Sequence, residues 1–309
     1  MPSWDILGFG AVAVDDLLFV DSYPVPDSKM PVREKQRAGG GLAGMALVAA
    51  ARLGARTAYA GVLGDDELSR FTIDWLQREG VDCTPVRRRP DARPYHSTII
   101  VDLSGGHRTI LFTAAGVTSL TAAEVTEELV AACRLIFVDS TVAALGLHVL
   151  RLARARGIPV VADLERFSGP EVPELTRQVD HLIVSTGFAG QVTGETDPAA
   201  MVRALRSRAH TACVVTAGER GCWYMSRETG DAVRHQPACR VQVVDTTGCG
   251  DVFHGAYAAA IVRGESVPRA IIVATATAGL KATQPGGRRG IPDWAAVERI
   301  IEEQGLECY

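Results

Sequence analysis

The chain has 309 residues, with 32 basic and 36 acidic side chains giving a net charge of −4, and it is 47% hydrophobic and 22% charged. At about 150 residues per domain, that length carries one large α/β domain or one domain with a small insertion, and the apolar fraction excludes a disordered chain. A pI near 6.0 and the lack of a basic tract argue against a nucleic-acid partner.

Uncharged stretches such as Thr109 to Ala123 fall short of the roughly 20 apolar residues of a membrane span. Met1-Pro2-Ser3-Trp4-Asp5 lacks the basic and apolar regions of a signal peptide. A cytoplasmic protein without a membrane partner is expected. Seven cysteines, Cys83, Cys133, Cys213, Cys222, Cys239, Cys249 and Cys308, are scattered without close pairing, as free thiols in a reducing compartment are. No CxxC or HExxH spacing points to zinc.

Ile6 to Phe9 predicts a buried strand. Gly8-Phe9-Gly10-Ala11-Val12-Ala13 then matches the dinucleotide fingerprint GxGxxA, which requires a helix to open there. Val12 to Val20 is β-branched and broken by Asp15 and Asp16, so a strand running toward an acidic pair is expected and a dinucleotide site is not. Leu17 to Arg37 reads as extended; a helix over Leu42 to Leu53, a strand over Ala58 to Val62 and a helix over Glu67 to Glu79 follow. Arg93 to Phe112 is again extended, with Thr98 to Asp102 and Thr109 to Phe112 flanking the hairpin signature Ser104-Gly105-Gly106. Beyond it lie helices over Ala122 to Ala132, Val142 to Ala155 and Pro198 to Ala209. Strands are expected over Leu135 to Val138, Val160 to Ala162, Leu182 to Val184 and Val214 to Val215. Gly54, Gly80 and Gly157 stand where helix-ending glycines belong.

This alternation is that of βα units around a parallel sheet. The two extended stretches read together as a small inserted β-sheet, either a lid over the C-terminal edge of the main sheet or an edge hairpin without a gating role. A P-loop is excluded, because no GxxxxGK[ST] occurs.

The segment Val243-Val244-Asp245-Thr246-Thr247-Gly248-Cys249-Gly250-Asp251-Val252-Phe253 places a glycine turn before an Ala-rich helix reaching about Arg263. Backbone N–H groups in such a turn, added to the helix dipole, form an anion hole suited to phosphate. Asp251 would sit beside it, and with an ordinary pKa near 3.9 it would be ionised and able to take a proton from an alcohol. A glycine-capped helix with an acidic first turn is the plainer alternative.

Asp245 to Phe253 closely resembles the DTxGAGD signature of the ribokinase-like (PfkB-type) carbohydrate kinases, and the likeness runs over nearly the whole chain. Gly10 to Asp15 resembles the substrate-binding strand of that family, and Ala38-Gly39-Gly40-Gly41 through Gly54 its first glycine signature. Thr216-Ala217-Gly218-Glu219-Arg220-Gly221 is similar to its nucleotide-phosphate loop. Pro285-Gly286-Gly287 and Gly290-Ile291-Pro292 are similar to its C-terminal nucleotide edge. The resemblance implies Asp251 as catalytic base and the N–H groups of Gly248, Cys249 and Gly250 as the anion hole. It places Asp15, Gly40 and Gly41 at the sugar, and Ser185, Thr216, Gly218, Gly221, Ala282 and Gly287 at ATP. Mg²⁺ would arrive with ATP, and Asp245 and Thr247 match a loop that binds K⁺ in several members.

Departures from the family pattern bear on the substrate. Gly41, Leu42, Ala43 and Gly44 replace a stretch that often holds a sugar-binding Asn, and Ser185-Thr186-Gly187-Phe188 stands where an NxxE motif would fall. His235 to Ala238 and Gln284 to Arg288 resemble sulfofructose kinase, yet Phe112 and Thr141 replace two residues of its sulfonate pocket and leave only Lys29. Asp15, Tyr23-Pro24, Asp27-Ser28 and Arg108-Thr109-Ile110 are similar to ketohexokinase, which implies Arg108 at the sugar. Arg166, after the strand at Val160, is a further candidate at the ligand edge, and Cys249, where the family usually has Ala, is either a thiol activated by a helix N-terminal field that lowers its pKa or simply a small residue.

The expectation is therefore a ribokinase-like α/β fold, with residues 1–15, 38–92 and 114–309 as core and 16–37 and 93–113 as a β lid. It would be an ATP- and Mg²⁺-dependent kinase acting on a primary hydroxyl of a ketose, or on an anionic sugar such as sulfofructose or a keto-deoxy sugar acid, and a homodimer through the lid. A silent sugar or nucleotide sensor is the alternative outside enzymes.

Overall fold

The computed structural model describes residues 2–105, 107–167 and 169–307. Strand β1 (Trp4–Phe9) starts two residues before its apolar run, because Trp4 donates its indole N–H to Asp82 at 2.8 Å and pairs with Cys133. The next strand, β2 (Ala13–Val20), confirms that no helix opens after Gly10. Then β3 (Glu34–Gly40) leads into Gly41, whose φ of 91° turns the chain into α1 (Leu42–Arg52). The expected strand at Ala58 divides into β4 (Thr57–Tyr59), which pairs with β1, and β5 (Val62–Leu63), which leaves the main sheet. Asp66 caps α2 (Glu67–Arg78) by accepting from Ser69 N–H, and β6 (Val81–Asp82) and β7 (Arg87–Arg88) follow.

The hairpin forms as its turn residues predict, from β8 (Tyr95–Asp102) to β9 (Arg108–Thr113), with Gly106 outside the described residues. The helix expected over Ala122 to Ala132 splits into a 3₁₀ turn, boxed by Thr121 and Glu124, and α3 (Glu127–Ala131), because Thr126 opens a second cap. After it come β10 (Cys133–Asp139), α4 (Ala143–Arg154), β11 (Val160–Asp163), α5 (Val172–Gln178) and β12 (His181–Ser185). Ser185 caps α6 (Thr186–Thr193), and α7 (Pro198–Leu205) ends four residues early, where Ser207 N–H turns back onto His210. The antiparallel strands β14 (Cys222–Ser226) and β15 (Arg234–Gln236) follow β13 (Ala212–Thr216). Three helices close the chain: α8 (Cys249–Arg263), α9 (Val267–Ala282) and α10 (Trp294–Gln304).

The main sheet has nine strands in the order β15-β14-β13-β12-β11-β10-β1-β4-β6, parallel except where β14 and β15 turn back at one edge. From β1 the chain steps one way to β4 and β6, and later the other way through β10 to β13. The order therefore reverses between β1 and β10, the place where open α/β sheets bind ligands. Alternate strand residues feed two cores. Ile6, Leu135, Phe137 and Ile183 face α1, α8 and α9, whereas Leu7, Ile136, Val138 and Leu182 face α3 to α7. On the first side α1 and α8 touch backbone to backbone: a Cβ on Gly255 would lie 2.1 Å from Ala46 O.

A second, four-stranded sheet has the order β3-β2-β8-β9, with β2 and β8 parallel and both outer pairs antiparallel. It is the small sheet that the two extended stretches foretold. The free strand β9 leaves Ile110, Leu111 and Phe112 about half exposed.

Candidate active site

Both sheets bring acidic residues to the switch point. Along β10 and β11 the final residues Asp139 and Asp163 are register partners and fully buried. Asp139 accepts from Ala11 N–H at 2.7 Å and from the N–H and hydroxyl of Thr141, and burial lifts its carboxyl to about 6 despite those bonds. The bond to Ala11 explains Gly10: a Cβ there would lie 2.1 Å from Asp139 Oδ2. Thr141, expected at the substrate, spends its hydroxyl on Asp139 and lines a cavity of about 400 Å³ between β1, β4 and residues 114–120. Neither Asp15 nor Asp251 lines that cavity.

The acidic pair on β2 is separated by strand alternation. Asp16 is held by Arg37 at 2.6 Å and His96 at 2.8 Å, and the Arg37 hydrogen bond lowers its pKa. Asp15 points the other way, toward Gly40, where a Cβ would meet its Oδ2 at 2.3 Å; burial raises its pKa against a hydrogen bond from Ser97. Gly41 lies equally close to chain, its Cβ position 2.5 Å from Ala11 O. Asp15, Gly40 and Gly41 thus meet at one spot where β2, β3 and α1 converge. Lys29 does not join them: it lies exposed on the loop between β2 and β3, with no ion pair among the described residues.

The glycine turn forms as its sequence requires. Gly248 adopts φ 72° as the residue before α8, and Asp251 occupies the first turn of the helix. Cys249 N–H is spent on Thr246 O at 3.2 Å, so of the three amides expected to form the anion hole those of Gly248 and Gly250 are without a partner among the described residues. Asp251 comes together with Asp163 and Glu165, one carboxylate oxygen of each lying within 4.8 Å of the others. Asp163 Oδ2 has no hydrogen-bond partner, and His254 Nδ1 stands 3.5 Å from it.

Two expectations about ionisation are corrected here. Burial first, then the charges of Asp163 and Glu165, hold Asp251 well above the ordinary carboxylate range, and Asp163 is raised in the same way. The Cys249 thiol is raised by burial rather than lowered, because the neighbouring Asp245 and Asp251 oppose Lys281 and Arg108. Sequence reading passed over Asp139, Asp163, Glu165 and Lys281. The one available signal was that β10 and β11 each end on Asp at the C-terminal edge.

Arg108, on the first residue of β9, reaches Asp245 Oδ1 at 3.4 Å and Thr247 Oγ1, so the small sheet touches the glycine turn rather than Asp15. Arg166 lies over the Phe112 ring of β9 at 5.5 Å. Asp245 carries the turn: Oδ1 accepts from Thr247 N–H at 2.8 Å and its hydroxyl at 2.6 Å, and Oδ2 accepts from Gly286 N–H at 2.8 Å. Burial pushes its pKa up, and these bonds outweigh it to leave the pKa lowered.

The residues expected at a nucleotide line the same edge further out. Ser185 and Thr216 are register partners at the ends of β12 and β13. Gly218 and Gly221 shape the next turn with φ 57° and 82°. A Cβ on Gly221 would lie 2.0 Å from Gln236 O. Ala282 O accepts from Val244 and Asp245 N–H, and Gly287 O lies 3.4 Å from the Cβ position of Gly248. Among the described residues no helix is long and apolar enough to cross a membrane.

The chain is similar to known proteins throughout. The bifunctional ribokinase/ribose-5-phosphate isomerase A of Fructilactobacillus sanfranciscensis is 25% identical over 97% of this chain, which spans 57% of that protein's length. A crystal structure of a ribokinase candidate from Agrobacterium tumefaciens superposes with a TM-score of 0.90 at 29% identity, covering 99% of both chains. Arabidopsis thaliana ribokinase, solved with ribose and ATP, gives 0.83 at 21% identity over 97% of this chain and 99% of its own, a likeness of fold. The family model of the pfkB carbohydrate kinases matches residues 5–294. With the two-sheet architecture and an aspartate beside a glycine turn, the chain belongs to the pfkB family of carbohydrate kinases, enzymes that move a phosphoryl group onto an alcohol.

Proposed function

We propose that the chain is an ATP-dependent kinase that transfers the γ-phosphoryl group to a primary hydroxyl of a small ketose. The observation that carries this reading is Asp251 in the first turn of α8, one residue past the unpartnered Gly250 amide and beside the switch point of the sheet. Asp251 takes the proton of the attacking hydroxyl, and the Gly248 and Gly250 amides with the helix dipole stabilise charge on the transferred group. The nucleotide lies along Thr216, Gly218, Gly221 and the 282–287 loop, and Asp15 holds sugar hydroxyls from above. Asp163, with one unpaired oxygen, and Glu165, each with a carboxylate oxygen within 4.8 Å of Asp251, suit a hard divalent ion such as the Mg²⁺ that neutralises ATP and leave Asp251 to the proton.

Residues 16–37 and 93–113 act in this reading as a lid, which brings Arg108 to the phosphate turn and excludes water. The exposed row Ile110, Leu111 and Phe112 supports pairing of two lids in a homodimer. An anionic sugar is the second reading, favoured by Arg166, whose guanidinium stands over β9 at the ligand edge. The test is ADP release with Mg-ATP across fructose, other ketoses, ribose, sulfofructose and keto-deoxy sugar acids. Turnover on a neutral ketose supports the first reading, a preference for an acidic sugar that is lost in Arg166→Ala supports the second, and turnover on aldoses alone overturns both.

A further inference from the structure

Lys281 is one of three lysines in a chain with 32 basic residues, and its side chain is wholly buried. It sits in the last turn of α9, a helix whose other buried residues are uncharged. Burying an ammonium group is costly unless something compensates it, so a lysine here needs a reason. Its Nζ donates to the main-chain oxygen of Asp245 at 2.8 Å. The ionisable groups around it are Cys249, Asp245, Asp251 and Arg108, so it lies directly behind the turn that forms the anion hole.

The resemblance to the kinase family raised K⁺ as an occupant of the Asp245 and Thr247 loop. The donor set here does not fit such an ion. Asp245 O is taken by Lys281, Oδ2 by Gly286 N–H, and Oδ1 by the N–H and hydroxyl of Thr247, with Arg108 beside it. A potassium ion would have to displace an ammonium group already in hydrogen-bond contact with the same carbonyl. Charge gives the same answer, since Asp245 and Asp251 flank the turn and a tethered cation behind it offsets them before any anionic nucleotide arrives.

We propose that the Lys281 ammonium is a built-in monovalent cation for the Asp245 to Asp251 turn, so that this kinase binds Mg-ATP and works without potassium. The proposal rests on the kinase reading above. Lys281 acts through the turn, and is a positioning residue in that sense. It also follows that the turn is held ready in the free protein, because the cation is covalently attached and needs no binding step.

The test is Mg-ATP binding by calorimetry in choline chloride and in potassium chloride, for the wild-type protein, Lys281→Ala and Lys281→Met. Wild-type affinity is expected to be the same in both salts. Lys281→Ala should lose about tenfold or more in choline, as loss of a charge-assisted contact does, and recover part of it in potassium or ammonium chloride. Lys281→Met fills the space without the charge and should stay weak in both. Wild-type binding that tightens severalfold with potassium would overturn the inference while leaving the kinase reading intact, and needs no variant to fold. Wild-type-like binding by Lys281→Met in choline would overturn it as well. Absence of Mg-ATP binding in both salts would remove the kinase reading and this inference together.

Discussion

Asp163, the last residue of β11, and Asp251, in the first turn of α8, hold carboxylate oxygens within 4.8 Å of each other, and one oxygen of Asp163 has no hydrogen-bond partner. Two acids so placed, one buried and one half-buried, do not both ionise freely. The pair therefore couples the chemistry of the site to the stability of the fold.

The sign of that coupling follows from the raised pKa values. The folded chain keeps protons that the unfolded chain releases, so the contribution is fully present below the unfolded value near 3.8 and is lost as pH rises through the higher folded value. Asp163→Asn removes the buried charge at neutral pH and should raise the Tm by about 2 °C or more. Thermal melts should show the gain shrinking as pH approaches about 4. A variant no more stable than wild type at neutral pH would contradict the sign.

The same pair sets the pH dependence of turnover. The acid limb of kcat/KM should lie well above the ordinary carboxylate range, as a property of the pair. In Asp163→Asn the limb should move to lower pH. A purely structural role for Asp163 would lower the plateau without moving the limb.

Asp251→Ala should lower kcat by roughly 10²- to 10⁴-fold, the usual reach of a general base, with Mg-ATP affinity within about threefold of wild type by calorimetry. Near-normal kcat would remove Asp251 from the chemistry.

Arg108→Ala tests the contact between β9 and the phosphate turn. Its side chain is 42% exposed, so the contact contributes little to stability, and the Tm should change by about 1 °C or less. The effect belongs to catalysis: kcat should fall by about tenfold, with a smaller change in sugar KM. A sugar KM effect with unchanged kcat would return Arg108 to the sugar.

Cys249 should react slowly. Burial raises its thiol, so iodoacetamide labelling at neutral pH should be slower than for an unhindered thiol and should accelerate in alkali. Fast labelling blocked by ATP would show an activated thiolate instead.

The free edge of the small sheet gives a test of assembly. Leu111→Glu on β9 should leave the monomer folded and shift gel-filtration elution from dimer to monomer, because it puts charge on an exposed apolar strand. Identical elution of variant and wild type would exclude pairing through this edge.

What the sequence revealed and what it hid divide along a physical line. The Gly248 turn, the helix-ending Gly54, Gly80 and Gly157 and the hairpin from β8 to β9 were legible because local chemistry decides them. Strands β14 and β15 were not, since short strands at the edge of a sheet carry no βα rhythm. Lys281, Asp139 and Asp163 were hidden for another reason: burial of a charge is decided by elements tens to hundreds of residues away. The contact of Arg108 with the glycine turn was hidden in the same way, because only the pairing of β9 with β8 aims it.

The missing methyl at Gly255 has a consequence of its own. With 2.1 Å between its Cβ position and Ala46 O, α8 is keyed into α1 four residues beyond Asp251 and cannot slide or roll. The half of the molecule that carries Asp251 is thus a fixed anvil. In the proposed reading, adjustment to a new acceptor falls to the four-stranded sheet above it, where substitutions in β8 and β9 would reshape the cleft without disturbing the placement of Asp251.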